Sequence, residues 1–62
     1  MINVLIVDDD AMVADLNRLY IERVEGFSCC GIASTLSQAR EFIEESVQPI
    51  DLVLLDVYMQ QD

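Results

Sequence analysis

Three apolar runs divide the chain, and two stretches with helical spacing lie between them. The runs at 2–7 and 50–55 are almost uninterrupted, which is typical of parallel strands that are covered on both faces. The run at 27–33 contains fewer large apolar residues and centres on Cys29 and Cys30. The pattern therefore predicts strands over 2–7, 27–33 and 50–55.

The first stretch between strands predicts a helix from Ala11 to about Val24. Its apolar residues recur every three or four positions, as on one face of a helix (Val13, Leu16, Tyr20, Val24). An aspartate precedes it as a candidate N-cap, and Gly26 is expected to close it in the C′ position.

The second stretch predicts another helix, which Pro49 ends. Thr35 and Gln38 have the spacing of a capping box, and an apolar stripe runs from Leu36 to Val47. The resulting order is β-α-β-α-β. Strands that alternate with helices pair in parallel through right-handed crossovers, so the predicted fold class is α/β with a three-stranded parallel sheet.

Length and charge exclude several classes of protein. The chain has 62 residues, with 12 acidic side chains against three arginines, no lysine and a net charge of −9, so the electrostatic footprint of a nucleic-acid-binding surface is missing. Hydrophobic residues make up 53%, too many for a disordered acidic tail, and no apolar run is long enough for a membrane span. The first residues do not resemble a secretory signal. We expect one small unit in the cytoplasm.

Aspartates follow both of the strongly apolar strands. Asp8, Asp9 and Asp10 come directly after the first strand, and Asp56 comes directly after the third. Ligands of open α/β sheets bind at the carboxyl ends of the strands, where the strand order reverses. If the first strand is central, the reversal falls between the first and third strands, and these carboxylates converge there because neighbouring strands lie about 4.8 Å apart.

Converging carboxylates favour a hard divalent cation. Mg²⁺ prefers oxygen ligands, whereas zinc is disfavoured because histidine is absent and the cysteines lie elsewhere. A carboxylate beside such an ion can act as a nucleophile toward phosphorus. The plainer interpretation is that Asp8 to Asp10 only cap the first helix and that Asp56 is an ordinary loop residue.

The two strand ends also resemble the receiver domains of two-component response regulators. The matching stretches are 4–10, Val-Leu-Ile-Val-Asp-Asp-Asp, and 51–59, Asp-Leu-Val-Leu-Leu-Asp-Val-Tyr-Met. The resemblance implies that Asp56 is the phosphoacceptor and that Asp8 and Asp9 hold Mg²⁺ together with Asp56 and the main-chain carbonyl of Tyr58. It also implies that the chain is a switch and not an enzyme.

The resemblance further implies a doubly wound, flavodoxin-like (CheY-like) domain with the first strand central. The chain covers about the first half of such a domain, so we expect residues 1–62 to be the N-terminal half of a receiver. The C-terminal half and a DNA-binding output domain would lie outside these residues. DNA contact would then belong only to that output domain. A third strand without its next neighbour predicts self-association through its exposed edge or with the missing half.

A finer resemblance is to the CitB-type regulators of citrate and C4-dicarboxylate metabolism genes. It is carried by short matches at 10–14, 26–27, 29–31, 33–36 and 56–60. It implies a sensor histidine kinase of the citrate or C4-dicarboxylate type as the partner, which commonly selects its regulator through the first helix. Here the helix face expected to be exposed includes Asn17, Arg18, Ile21 and Glu22.

Two interpretations from other classes stay open. An apolar strand followed by Asp8-x-Asp10 also suits a haloacid-dehalogenase-type phosphohydrolase, with Asp8 as nucleophile and Asp10 as general acid, although Asp56 would then lack a role. Alternatively, the chain is a non-catalytic interaction module in which the acidic cluster is a solvated rim.

Overall fold

A computed structural model describes residues 1–56, which form three strands and two helices in the predicted order. The elements are β1 (Ile2–Val7), α1 (Ala11–Arg23), β2 (Phe27–Ala33), α2 (Leu36–Glu45) and β3 (Leu52–Leu55). In this part of the chain, no helix is long and apolar enough to cross a membrane.

The three strands form one parallel sheet in the order β2-β1-β3. The predicted α/β class and the central position of the first strand are both confirmed. The central strand is the most deeply buried element: Val4 to Val7 are each at most 1% exposed. The chain crosses from β1 to β2 on one side of β1, and then from β2 to β3 on its other side. Because β1 and β3 are parallel neighbours, their carboxyl ends lie side by side.

The core on the α2 side of the sheet is built from small and branched residues. Leu5, Val7, Ala33 and Ala39 form its buried cluster, and the ring of Phe42 packs against them. Gly31 makes this packing possible, because a Cβ atom at that position would overlap the Phe42 ring. A glycine in the middle of a strand thus marks a close approach between helix and sheet.

A β-bulge interrupts the pairing of β1 with β2. Val4 is opposite Cys29 and Leu5 is opposite Gly31, so Cys30 is the extra residue. The Cys30 thiol donates to the carbonyl oxygen of Val4 at 3.3 Å. Both cysteines are free and half-buried. Burial raises the pKa of Cys30 above the ordinary cysteine value of 9.0, and a charge on Cys29 would raise it further.

The helix α1 ends within one residue of the prediction, but Gly26 does not occupy the predicted C′ position. The helix stops at Arg23, and Val24 is already extended. Gly26, with φ of 88°, lies in a turn in which the Phe27 N–H donates to the Val24 carbonyl at 3.2 Å. That places Gly26 third in a four-residue turn, where a type II turn requires a positive φ, and not directly after the helix in the C′ position.

The segment between α2 and β3 is longer than the apolar pattern predicted. Ser46 is extended, its hydroxyl donates to the Gln48 carbonyl, and Val47 is 99% exposed, so the predicted stripe ends early. Short polar side chains compete with helical hydrogen bonds in this way. The strand then begins at Leu52 instead of 50, because the Asp51 carboxylate accepts from the backbone N–H of Asn3 in place of a ladder carbonyl.

Candidate metal and phosphoacceptor site

The candidate site lies at the carboxyl edge of the sheet, between the ends of β1 and β3. The N–H of Asp8 donates to the Ala33 carbonyl, and the N–H of Asp56 donates to the Val7 carbonyl, both at 3.0 Å. These two bonds extend the sheet by one residue beyond β1 and β3. The aspartates that follow the strands are therefore fixed by the sheet itself.

Asp8 is the buried member of the site. Its side chain is 4% exposed, and its Oδ1 atom accepts from the backbone N–H of Asp10 at 2.9 Å. Buried carboxylates need hydrogen-bond donors or a cation to offset the loss of water. One carboxylate oxygen thus has a fixed backbone partner, and this bond orients the side chain.

The structure brings Asp8, Asp9 and Asp56 together. One carboxylate oxygen from each lies within 4.8 Å of the other two, with Asp8 buried, Asp56 half-buried and Asp9 exposed. This arrangement places three of the four predicted metal-site residues in one group. The fourth, Tyr58 with its main-chain carbonyl, lies outside the described residues.

An open cleft of about 530 Å³ surrounds the carboxylates. Its floor includes Ile6 and Leu54, and one wall is formed by Val13 and Asn17 of α1. Neither residue was predicted from the sequence to belong to the site. The signal was present, since Asp10, Val13 and Asn17 follow helical spacing and therefore share one face of α1.

Asp10 belongs to the helix and not to the carboxylate group. Its Oδ1 atom accepts from the N–H of Met12 at 3.0 Å and of Val13 at 3.2 Å, which confirms it as the N-cap of α1. A phosphohydrolase of the haloacid-dehalogenase type would need this side chain as its general acid. The capping bonds hold it at the helix terminus instead.

The helix face predicted to meet a kinase is only partly exposed. Glu22 is exposed, whereas Asn17, Arg18 and Ile21 are half-buried. Arg18 pairs with Asp15 at 2.7 Å and with Glu22 at 3.0 Å. Its hydrogen bond to Asp15, together with the charges of Asp15 and Glu22, raises the pKa of Arg18.

The donor set of the carboxylate group fits a hard divalent cation. The three side chains offer only oxygen atoms, and an open cleft on one side leaves room for water or phosphate oxygens. Mg²⁺ typically takes one or two protein carboxylates and retains several waters, so it does not require a closed cage. Three carboxylates at this separation also repel one another unless a cation compensates them.

The model of the response regulator receiver domain family matches residues 4–62, and the chain belongs to that family. Phosphorylation by a kinase and Mg²⁺ binding at an acidic pocket are typical of the family, and its members are generally not catalysts. The predicted family is confirmed.

Among curated proteins, the chain is 64% identical to the transcriptional regulatory protein DcuR of Escherichia coli, over all 62 residues and 26% of that protein. It is 51% identical to the transcriptional regulatory protein MalR of Bacillus subtilis, over 95% of this chain and 24% of the relative. It is 39% identical to the probable C4-dicarboxylate response regulator DctR of Halalkalibacterium halodurans, over 95% of this chain and 25% of the relative. The chain thus spans about a quarter of these relatives. No solved structure matches it significantly.

Proposed function

We propose that residues 1–62 are the N-terminal half of a receiver domain in a two-component transcriptional regulator, with Asp56 as the phosphoacceptor. The observation that carries the proposal is the group of Asp8, Asp9 and Asp56 at the ends of two neighbouring parallel strands. In this proposal Mg²⁺ is held by Asp8, Asp9 and Asp56, together with the main-chain carbonyl of Tyr58. The chain accepts a phosphoryl group and does not turn over a substrate.

The surroundings of each aspartate support these roles. Asp8 is buried and bonded to a backbone N–H, which suits a fixed ligand more than a nucleophile. Asp10 is engaged as the helix cap. Asp56 is half-buried, lines the open cleft and lies at the end of a strand, where a phosphodonor has access.

The chemistry that follows is the transfer of a phosphoryl group from an oxygen or nitrogen atom of the donor to Asp56. A carboxylate oxygen of Asp56 attacks phosphorus, the bond from phosphorus to the donor breaks, and the donor leaves with its electron pair. Bound Mg²⁺ would supply positive charge against the phosphoryl oxygens. Asp8 and Asp9 would contribute by holding the ion.

The partners and the controlled genes also belong to the proposal. A sensor histidine kinase of the C4-dicarboxylate or citrate type would phosphorylate Asp56 in the cytoplasm, and DNA would be bound only by an output domain outside these residues. Support comes from relatives named as transcriptional regulatory proteins and as a probable C4-dicarboxylate response regulator. The controlled genes would then serve C4-dicarboxylate or citrate metabolism.

Intact-mass analysis with a small phosphodonor tests the proposal without the kinase. The chain is incubated with acetyl phosphate and Mg²⁺, and we expect one added phosphoryl group that peptide mapping assigns to Asp56. Asp56→Asn should abolish it, and Asp9→Asn should slow it. Asp51→Asn is the matched control, because it lies at the other end of β3 and retains an oxygen for the Asn3 N–H. Modification of Asp8 in place of Asp56, or no modification at saturating Mg²⁺, would contradict the proposal.

A further inference from the structure

Three hydrogen bonds join the start of β1 to the segment that precedes β3. The backbone N–H of Asn3 donates to Oδ2 of Asp51 at 2.8 Å, and the Asp51 N–H donates to the Asn3 carbonyl at 2.9 Å. The side-chain amide of Asn3 donates to the Pro49 carbonyl at 3.0 Å. Together these bonds fix where the chain enters β3 relative to β1.

The strand that follows carries little information about its own register. It reads Leu-Val-Leu-Leu, so a shift along β1 would exchange one apolar side chain for another. In the observed register Val7 is opposite Leu55, and the next residues, Asp8 and Asp56, lie at the same level of the sheet. Residues of a strand are about 3.3 Å apart, so a shift of two residues would move Asp56 by about 6.6 Å. The three carboxylate oxygens of the site lie within 4.8 Å of one another, so this shift would separate Asp56 from the group.

The aspartates at the two ends of β3 oppose shifts in opposite directions. A shift of two residues toward the carboxyl edge of the sheet would bring Asp51 opposite Leu5. The reverse shift would bring Asp56 opposite Ile6. Leu5 and Ile6 are fully buried, and a carboxylate placed beside either would lose water without gaining a partner. Asp51 therefore opposes one of the two shifts, both by its charge and by its hydrogen bond to Asn3.

We propose that Asp51 is a positioning residue for the phosphoacceptor: by fixing the register of β3 on β1, it places the Asp56 carboxylate beside the carboxylates that follow β1. This inference rests on the proposed function of Asp56. The four residues of β3 separate Asp51 from Asp56, so Asp51 lies at the opposite edge of the sheet from the site. Its effect on phosphoryl transfer passes through the strand and not through contact with the ion or the phosphoryl group.

The register of β3 can be measured by NMR without a phosphodonor. In the unmodified chain, nuclear Overhauser contacts should pair Val7 with Leu55. Asp51→Leu removes both the hydrogen bond and the charge and makes 50–55 uniformly apolar, so we expect a second population with contacts between Val7 and Val53. Asp51→Asn keeps an oxygen for the Asn3 N–H and should retain the register of the unmodified chain. A single, unshifted register in Asp51→Leu would overturn the proposal.

The rate of modification by acetyl phosphate and Mg²⁺ gives a second measurement. In Asp51→Leu we expect the rate to fall, at least about twofold, in proportion to the fraction of molecules that have lost the Val7–Leu55 contact. Glu41→Gly is the control, because a glycine at this exposed position weakens α2 without changing β3, and it should leave the rate unchanged. An unchanged rate in Asp51→Leu, or an equal loss in Glu41→Gly, would overturn the proposal.

The two measurements separate this proposal from the proposed function. If the unmodified chain is not phosphorylated, the proposed function fails, and the NMR contacts still decide whether Asp51 fixes the register. If the unmodified chain is phosphorylated and Asp51→Leu behaves in the same way, only the role of Asp51 fails.

Discussion

Strands β1 and β3 have nearly the same chemistry and opposite surroundings. Val-Leu-Ile-Val at 4–7 and Leu-Val-Leu-Leu at 52–55 are paired residue by residue in one sheet. The first segment is at most 1% exposed, whereas the second is 41–50% exposed. Among the described residues, β1 has a strand on each side and β3 has one, so an apolar run predicts a strand but does not determine how deeply that strand is buried.

The largest change in the free energy of unfolding is expected from alanine substitutions at one pair of facing positions in β1 and β3. Ile6 is opposite Leu54 in the sheet, and only Ile6 is fully buried. Ile6→Ala should lower the free energy of unfolding by about 2–5 kcal/mol. Leu54→Ala should cost about 1 kcal/mol, because roughly half of that side chain is already in water. Urea unfolding of dilute protein, followed by circular dichroism, measures both free energies of unfolding. Equal losses in the two variants would contradict the expected difference in burial between Ile6 and Leu54.

A substitution in β2 tests whether the Phe42 ring covers the side of β1 that faces α2. Gly31→Ala forces the Phe42 ring away from Leu5 and Val7, so we expect a loss of about 1–3 kcal/mol. In a Phe42→Ala background the same change should cost almost nothing, since the overlapping ring is gone. If Gly31→Ala costs the same in both backgrounds, the ring is not the cause.

Mg²⁺ should link the carboxyl ends of β1 and β3 and stabilise the exposed strand. An ion that binds only the folded chain adds about 1.4 kcal/mol when its concentration is ten times its dissociation constant. Thermal unfolding with and without Mg²⁺ measures this gain, which Asp56→Asn should remove. Glu41→Gln also removes one negative charge, but it lies on α2 away from the site and should keep the gain. A gain that persists in Asp56→Asn would place the ion elsewhere.

The smallest expected effect on stability concerns Cys30 in β2, the other strand that pairs with β1. Burial raises the pKa of Cys30, so the folded thiol keeps its proton at a pH where the unfolded thiol has lost it. The resulting stabilisation is fully present below the unfolded pKa of about 9.0 and is lost as pH rises through the higher folded pKa. Unfolding measured from pH 8 upward should show a steeper decline for the unmodified chain than for Cys30→Ser, which does not titrate there. Parallel curves would count against this prediction.

Local signals predicted most of the fold and part of the site. The apolar runs gave the three strands, helical spacing gave both helices, and Asp10 and Thr35 were the expected caps, because these features depend on neighbours within about four residues. Gln38 departs slightly from a capping box, since its side-chain oxygen accepts from the Ser34 N–H and not from that of Thr35. The end of α2 was misplaced where a local side-chain bond replaced the helix, and Gly26 proved to belong to the turn that follows α1.

The order of elements and the aspartates that follow the first and third strands can be read from the amino-acid sequence alone. The burial of Asp8 beside an exposed Asp9, and the placing of Val13 and Asn17 along the cleft, became visible only in the folded chain. The tertiary structure also decided that Gly31 accommodates Phe42. The physical reason is that residues far apart in the chain become neighbours only through sheet pairing and helix packing, and burial is a property of those neighbours.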